Sequence, residues 1–185
     1  MTKPAIDVAR RSLCLELLFQ RYLLEGDREA SADELERARA TWRAQLAPLG
    51  IEGEISVAER ALLDAPVGGL SEDDLDDAHG RGAGALVLLW ALGRLPVRPA
   101  MTAIEAIDEA LATHGLLGDG AIKRARAETE AATLRPAAEL EEGHRAYVRT
   151  RGKARDVEDP DRVFAEVAAH HLEWVLDDEM SFDDA

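Results

Sequence analysis

The chain has 185 residues, 46% of them hydrophobic, and a formal net charge of −15. Its length is enough for one domain that buries its own core without disulfides or a metal. The excess of negative charge argues against binding to nucleic acid or to anionic membranes, because both require a positive surface. The acidic residues therefore either serve solubility, which is the default interpretation, or face a basic protein partner.

Composition also bears on fold class and on compartment. Aromatic residues make up only 4% of the chain, and the β-branched, aromatic-rich runs typical of strands are nearly absent. Cys14 is the only cysteine, so no intramolecular disulfide can form. Met1–Arg11 lacks the apolar core of a signal peptide. The longest apolar run, Ala83–Leu92, is too short to cross a bilayer. These features predict an all-α, cytoplasmic protein without a membrane segment.

Several helix ends can be located from the sequence. In a capping box, a Ser or Thr caps backbone N–H groups and an acidic residue three positions later reaches back. Capping boxes are predicted at Ser31 with Glu34, Ser56 with Glu59, Ser71 with Asp74, and Thr102 with Glu105. Proline marks two later helix starts, at Arg135-Pro136 and Asp159-Pro160. Glycines that end helices are predicted at Gly26, Gly50, Gly93 and Gly115.

Between these signals, apolar residues recur every three or four positions, as in amphipathic helices. The segment Ala83–Leu92 is apolar on every side, which predicts a buried central helix. The polar segment before it, Ser71–Ala78, is interpreted as a separate helix. On the last helix, an apolar stripe is formed by Val163, Val167, His170 and Trp174, with Phe164, Ala168, His171 and Val175 beside them. The sequence thus predicts an all-α, single-domain bundle of about seven to nine helices over residues 1–176, followed by an acidic tail at 177–185.

Three glycines, Gly80, Gly82 and Gly84, precede the predicted central helix in a G-x-G-x-G pattern. A phosphate-binding loop with such a pattern would follow a strand, whereas here the polar segment Ser71–Ala78 precedes the glycines. We interpret them as a site of close helix packing or a kink. We therefore predict no cofactor.

One possible metal site lies on the last helix, where Glu166, His170 and Glu173 share a face at spacings of four and three. An imidazole with two carboxylates could hold a divalent cation. A bundle site also needs ligands from a second helix; His144 could supply one, but nothing in the sequence requires it. We therefore expect no metal and interpret His170 as a packing residue, with metal binding as the alternative.

A basic segment, Arg145–Arg155, contains four arginines, one lysine and Tyr147. Such a patch could hold an anion or stack a nucleotide base. We interpret it as a solvated helix end whose positive charges complement the helix dipole, and anion binding stays open. Cys14 lies in an apolar stripe and is interpreted as a buried packing residue.

Three strings resemble a known family. Val87–Gly93, which reads VLLWALG and is followed by Pro96, resembles the central LLWALG helix of the bacterial domain-of-unknown-function family 4272. The closing Leu172–Val175 with the acidic residues after it is similar to that family's LNWL…WDD segment, and Arg10–Leu13 is similar to its start. The chain departs from the family at Gly80–Ala83, where members carry Trp-Arg-x-Glu, and at Val167–Ala169, where they carry Glu-Arg-His. The resemblance implies an all-α fold and a bacterial source, and it implies no activity.

No catalytic motif is present, so catalytic residues are unknown and enzymatic activity stays open. The leading hypothesis is a bacterial cytoplasmic protein-binding or accessory module, immunity-like, whose acidic clusters Glu72–Asp77 and Asp177–Asp184 face a basic protein partner. The alternative is a small metal-binding protein or enzyme that uses Glu166, His170 and Glu173. A pocket at that face with convergent polar groups would favour the alternative. The oligomeric state is not predicted.

Overall fold

The computed structural model describes residues 1–27, 29–100, 120–153, 156 and 159–182. These residues form seven α-helices and no strand, which confirms the all-α prediction. The helices are α1 Ala5–Gly26, α2 Ala32–Leu49, α3 Val57–Asp64, α4 Glu72–Ala91, α5 Ala121–Glu130, α6 Ala137–Lys153 and α7 Pro160–Leu176, with a 3-10 turn at Glu52–Glu54. None of the described helices combines the length and the apolar character that crossing a membrane requires.

The predicted capping boxes are all formed where the structure describes them. The capping boxes at Ser31, Ser56 and Ser71 are all formed, each with the acidic residue three positions later. Gly50 ends α2 in the left-handed conformation, with φ of 70°, which glycine adopts without strain. Helix α7 begins at Pro160 with Asp159 as its N-cap. The predicted cap at Thr102 with Glu105 and the predicted stop at Gly115 lie outside the described residues.

The core has two central helices, α1 and α4. Every residue of the segment 83–92 is buried, as predicted for the central helix. Helix α1 is buried on both sides: Val8 and Leu15 belong to the core shared with α4, α6 and α7. On its other side, Leu17 and Leu18 belong to a second core with α2, α3 and α5. Helix α1 therefore joins the two halves of the core.

The extent of α4 differs from the predicted one. The polar segment Ser71–Ala78 and the apolar segment Ala83–Leu92 were expected to be two helices, but α4 runs without a break from Glu72 to Ala91. An interior glycine costs a helix only about 1 kcal/mol relative to alanine. Burial of each large side chain in the second half of α4, such as Leu88, contributes about 1.5–3 kcal/mol. Packing therefore outweighs the local cost of the glycines.

The described part of the acidic tail, residues 177–182, lies against the N-terminal end of the chain. The Lys3 Nζ donates a hydrogen bond to the Asp178 carbonyl oxygen at 2.8 Å. The Phe182 ring stacks on the Arg11 guanidinium, whose carbon lies 3.4 Å from the ring centroid. The tail thereby covers one side of the buried Arg11.

Candidate functional site

The register of α7 decides which side chains face the surface. Its buried residues are Phe164, Ala165, Ala168, Ala169, His171, Leu172, Trp174 and Val175. Of the predicted stripe, Trp174 is buried, whereas Val163 is 49% exposed and His170 is only half-buried. The residues predicted beside the stripe are all buried. The core histidine is His171. Helix α7 packs against both α4 and α6. The buried part of its surface is therefore wider than a single stripe, and its centre lies on the residues next to the predicted stripe.

A surface groove runs between α4 and α7, and we refer to it as the α4–α7 groove. Its polar end has a volume of about 410 Å³ and is lined by Asp76, Asp77, Arg81, Glu166, His170 and His171. Its apolar end has a volume of about 210 Å³ and is lined by His79, Ala83, Pro160 and Phe164. The two ends share Gly80, Val163 and Val167. The groove can therefore take a ligand that is charged at one end and apolar at the other.

The charges in the polar end are mostly negative. The only arginine of the lining, Arg81, forms ion pairs with Asp77 at 3.0 Å and with Glu59 at 3.5 Å. Within the described part of the chain, Asp76 and Glu166 form no ion pair, and both are exposed. A cation that entered the polar end would thus meet two carboxylates without a positive partner from the described residues.

The two histidines differ in environment. His171 Nδ1 donates to the Val167 carbonyl oxygen at 2.8 Å, and burial lowers the pKa of His171 to about 3. Its Nε2 therefore carries a lone pair, is buried, and has no hydrogen-bond partner among the described residues. Partial burial also lowers the pKa of His170, although the Glu173 carboxylate opposes this shift. The buried imidazole of His171 is neutral at neutral pH and does not repel a cation.

Beneath the polar end lies a buried ion pair that the sequence did not predict. The Arg11 guanidinium donates to both carboxylate oxygens of Glu59, one of them at 2.8 Å, and to the Glu54 carbonyl oxygen at 2.9 Å. Burial opposes ionisation of Glu59, but the hydrogen bonds and charge of Arg11, together with Ser56 N–H and Arg81, hold its pKa below the ordinary value. The signal available in the sequence was an arginine within an apolar helix.

Of the three candidate metal ligands, Glu166 and His170 line the groove, whereas Glu173 is exposed and is not part of its lining. Throughout the described ranges, no three His, Cys, Asp or Glu side chains come together in a way that could hold a metal ion. His144 is half-buried on α6. Two of the three predicted side chains thus line the groove, on the wall opposite Asp76 and Asp77 of α4.

In the basic segment Arg145–Arg155, the aromatic side chain is already engaged. Tyr147 is buried, and its hydroxyl donates to the Pro99 carbonyl oxygen at 2.7 Å. The Arg98 guanidinium lies over its ring, 5.1 Å from the centroid. Tyr147 therefore has no free face for a nucleotide base. Arg155 lies outside the described residues.

Cys14 is buried in the core shared with α2, α3 and α5. Burial raises the pKa of its thiol to about 12. A thiol with so high a pKa stays protonated at neutral pH and is a poor nucleophile. This environment agrees with the interpretation of Cys14 as a packing residue.

Comparison with known proteins adds no relative to this description. No family model, curated protein or solved structure matches the chain. The resemblance to domain-of-unknown-function family 4272 therefore stays a prediction, and the functional interpretation depends on the α4–α7 groove itself.

Proposed function

We propose that the protein is a bacterial cytoplasmic binding module, of accessory or immunity type, that holds a basic segment of a protein partner in the α4–α7 groove. One observation supports this proposal above the others. The groove is open to solvent, and Asp76 on one wall and Glu166 on the other present carboxylates that no cation of the described chain neutralises. Charges of this kind attract a lysine or arginine side chain and raise the rate of encounter with a basic protein.

Other acidic residues of α4 and α7 add to the negative electrostatic potential of the carboxylates in the groove. Glu72 and Asp73 are exposed in the first turn of α4, and Asp161 is exposed in the first turn of α7. The N-terminal ends of both helices stabilise these acidic residues through the helix dipole. These acidic residues are therefore compatible with the fold, and they add to the negative potential at the starts of α4 and α7.

The geometry gives less support to metal binding or catalysis. The polar end of the groove does gather polar groups, since Asp76 and the already paired Asp77 line it together with Glu166 and His170. Among the described residues, however, no three His, Cys, Asp or Glu side chains come close enough together to hold a metal ion. A stable site for a transition metal needs three or four ligands in a defined geometry. We therefore give the protein-binding function priority over the alternative function.

The proposal is tested by capture and measurement of a partner. Tagged protein is used to capture binding proteins from cells of the native host at low and at high salt. Any basic protein that is captured is then purified, and its affinity is measured by calorimetry. We expect binding that weakens at high salt, because exposed charges are screened over about 10 Å at 0.1 M salt.

Two double variants show whether the groove is the site. Asp76→Asn with Glu166→Gln removes two charges from the groove, and Glu130→Gln with Glu142→Gln removes two exposed charges from α5 and α6. We expect the groove variant to bind about tenfold more weakly, which corresponds to about 1.4 kcal/mol. The control variant should retain the wild-type affinity. Equal affinity of both variants, or capture of acidic proteins only, would contradict the proposal.

A further inference from the structure

Two glycines one turn apart in α4 have different surroundings. At Gly84, an ideal Cβ would lie 2.6 Å from His171 Cε1 and 3.0 Å from its Cδ2. The close approach of α7 therefore requires glycine at this position. At Gly80, an ideal Cβ would meet nothing within 4 Å, and the residue is in a regular helix. Packing within the described chain therefore does not explain Gly80.

Glycine at position 80 lowers the stability of helix α4. An interior glycine makes a helix about 1 kcal/mol less stable than alanine does. At Gly80 this cost has no compensating contact in the fold, unlike the cost at Gly84. A glycine without a packing reason is expected where the backbone has to stay open to a ligand.

The position of Gly80 supports that explanation. Gly80 is one of the three residues shared by the polar and apolar ends of the α4–α7 groove, and Val163 and Val167 face it from α7. Val163 is 49% exposed, although its neighbours in the groove are apolar. Because Gly80 lines both ends and an ideal Cβ there meets open space, a larger side chain at this position would take up part of the groove. Glycine thus keeps open the passage from one end of the groove to the other.

From these observations we infer that the α4–α7 groove recognises one aliphatic side chain of the partner, next to a lysine or arginine, and that Gly80 provides the room for it. This inference rests on the proposed function and specifies the segment that is bound. The aliphatic side chain occupies the apolar end beside Ala83 and Phe164. The cationic side chain occupies the polar end, where Asp76 and Glu166 have no ion-pair partner among the described residues.

The charges of the polar end favour a cationic occupant. The carboxylates of Asp76 and Glu166 accept hydrogen bonds, and ammonium and guanidinium groups are hydrogen-bond donors only. His171 Nε2 does not contribute to this preference, because it is buried against Gly84 of α4. An anionic ligand would be repelled by the two carboxylates. The groove therefore fits a basic and aliphatic segment rather than an acidic one.

The test uses two synthetic peptides of nine residues, each with four lysines on either side of a central residue. The central residue is leucine in one peptide and alanine in the other. Affinities are measured by calorimetry for the wild type, for Gly80→Leu, and for Gly152→Leu. Gly152 is a matched control because it also lies in a helix, has no atom within 4 Å of an ideal Cβ, and is exposed.

We expect the wild type and Gly152→Leu to bind the leucine peptide about tenfold more tightly than the alanine peptide, because only leucine buries a large aliphatic side chain in the apolar end. Gly80→Leu should lose this preference and still bind both peptides with the affinity of the alanine peptide. Equal binding of the two peptides by the wild type, with salt dependence retained, would overturn the inference and leave the proposed function standing. Absence of binding by either peptide would overturn both.

Two controls keep the result interpretable. Circular dichroism and thermal unfolding check that Gly80→Leu is folded. If it is not, the affinities of the wild type for the two peptides still decide whether the groove recognises a leucine side chain. Analytical ultracentrifugation shows whether a second copy of the chain occupies the groove. A wild-type dimer that Gly80→Leu converts to a monomer would overturn the inference, because the occupant would then be the protein itself.

Discussion

Glu59 is a buried carboxylate that connects three helices. It belongs to α3, accepts both hydrogen bonds of the Arg11 fork from α1, and lies 3.5 Å from an Arg81 nitrogen of α4. Its side chain is 2% exposed, as is that of Arg11. Removing one partner of such a pair leaves a buried charge without compensation, which costs far more than the pair contributes as a whole.

We predict that Glu59→Gln lowers the free energy of unfolding by about 3–5 kcal/mol, because Arg11 would stay buried without its carboxylate. Urea denaturation followed by circular dichroism measures this change. The control is Glu141→Gln, which removes the exposed partner of Arg145 on α6 and should cost less than about 0.5 kcal/mol. Similar losses in the two variants would show that Glu59 is solvated.

His171 makes stability depend on pH. Its folded pKa of about 3 lies below the unfolded value near 6.5, so the unfolded chain binds a proton that the folded chain excludes. This contribution is therefore complete above pH 6.5 and is lost as the pH falls from 6.5 toward 3. We predict a loss of about 2 kcal/mol in unfolding free energy between pH 7 and pH 5.

The measurement is urea denaturation at several pH values, with two matched variants. His171→Gln should remove most of the loss between pH 7 and pH 5, because no buried imidazole would remain. His170→Gln should retain most of it, because His170 is only half-buried. An unchanged pH dependence in His171→Gln would assign the effect to other groups.

At the scale of the element, the two glycines of α4 predict opposite effects of the same substitution. Gly80→Ala should raise the free energy of unfolding by about 0.5–1 kcal/mol, because alanine favours the helix and meets no neighbour. Gly84→Ala should lower it by about 1–3 kcal/mol, because the new methyl group would overlap the buried His171 ring. Denaturation of both variants under one condition tests the pair. A stabilising Gly84→Ala would mean that α4 and α7 are farther apart.

The helix ends were predictable because their signals are local. The capping boxes at Ser56 and Ser71 act within three residues, so the sequence alone specifies them. The continuity of α4 was not predictable from local signals. The glycines indicate a break, and only burial against α1, which is distant in sequence, outweighs them.

The site was predictable only in part, and α7 shows why. The sequence indicates that a helix begins near Pro160 and that Glu166 and His170 share a face, which the groove lining agrees with. Whether His170 or His171 faces the core depends on the directions from which α4 and α6 pack. One position changes the direction of a side chain by about 100° on a helix. Spacing alone does not determine that direction, nor does it show that Arg11 reaches Glu59.

At the scale of the whole molecule, the net charge of −15 implies repulsion within the folded state. The exposed acidic residues at the start of α4, Glu72, Asp73 and Asp76, contribute to it. We predict that the melting temperature rises by about 2–4 °C between low and physiological salt, which corresponds to about 1 kcal/mol. Differential scanning calorimetry measures the shift. An unchanged melting temperature would show that ion pairs and helix dipoles already compensate the repulsion.

The central claim is that the α4–α7 groove, and no other acidic surface of the molecule, binds a basic segment. NMR titration of ¹⁵N-labelled protein with the lysine-flanked leucine peptide tests it directly, because each backbone amide reports on its own surroundings. We predict the largest saturable chemical-shift changes at Gly80, Arg81, Val163 and Val167, which line the groove, and their loss in Gly80→Leu. Shifts concentrated on the acidic first turn of α2, at Asp33 and Glu34, with the groove amides unchanged, would contradict the account.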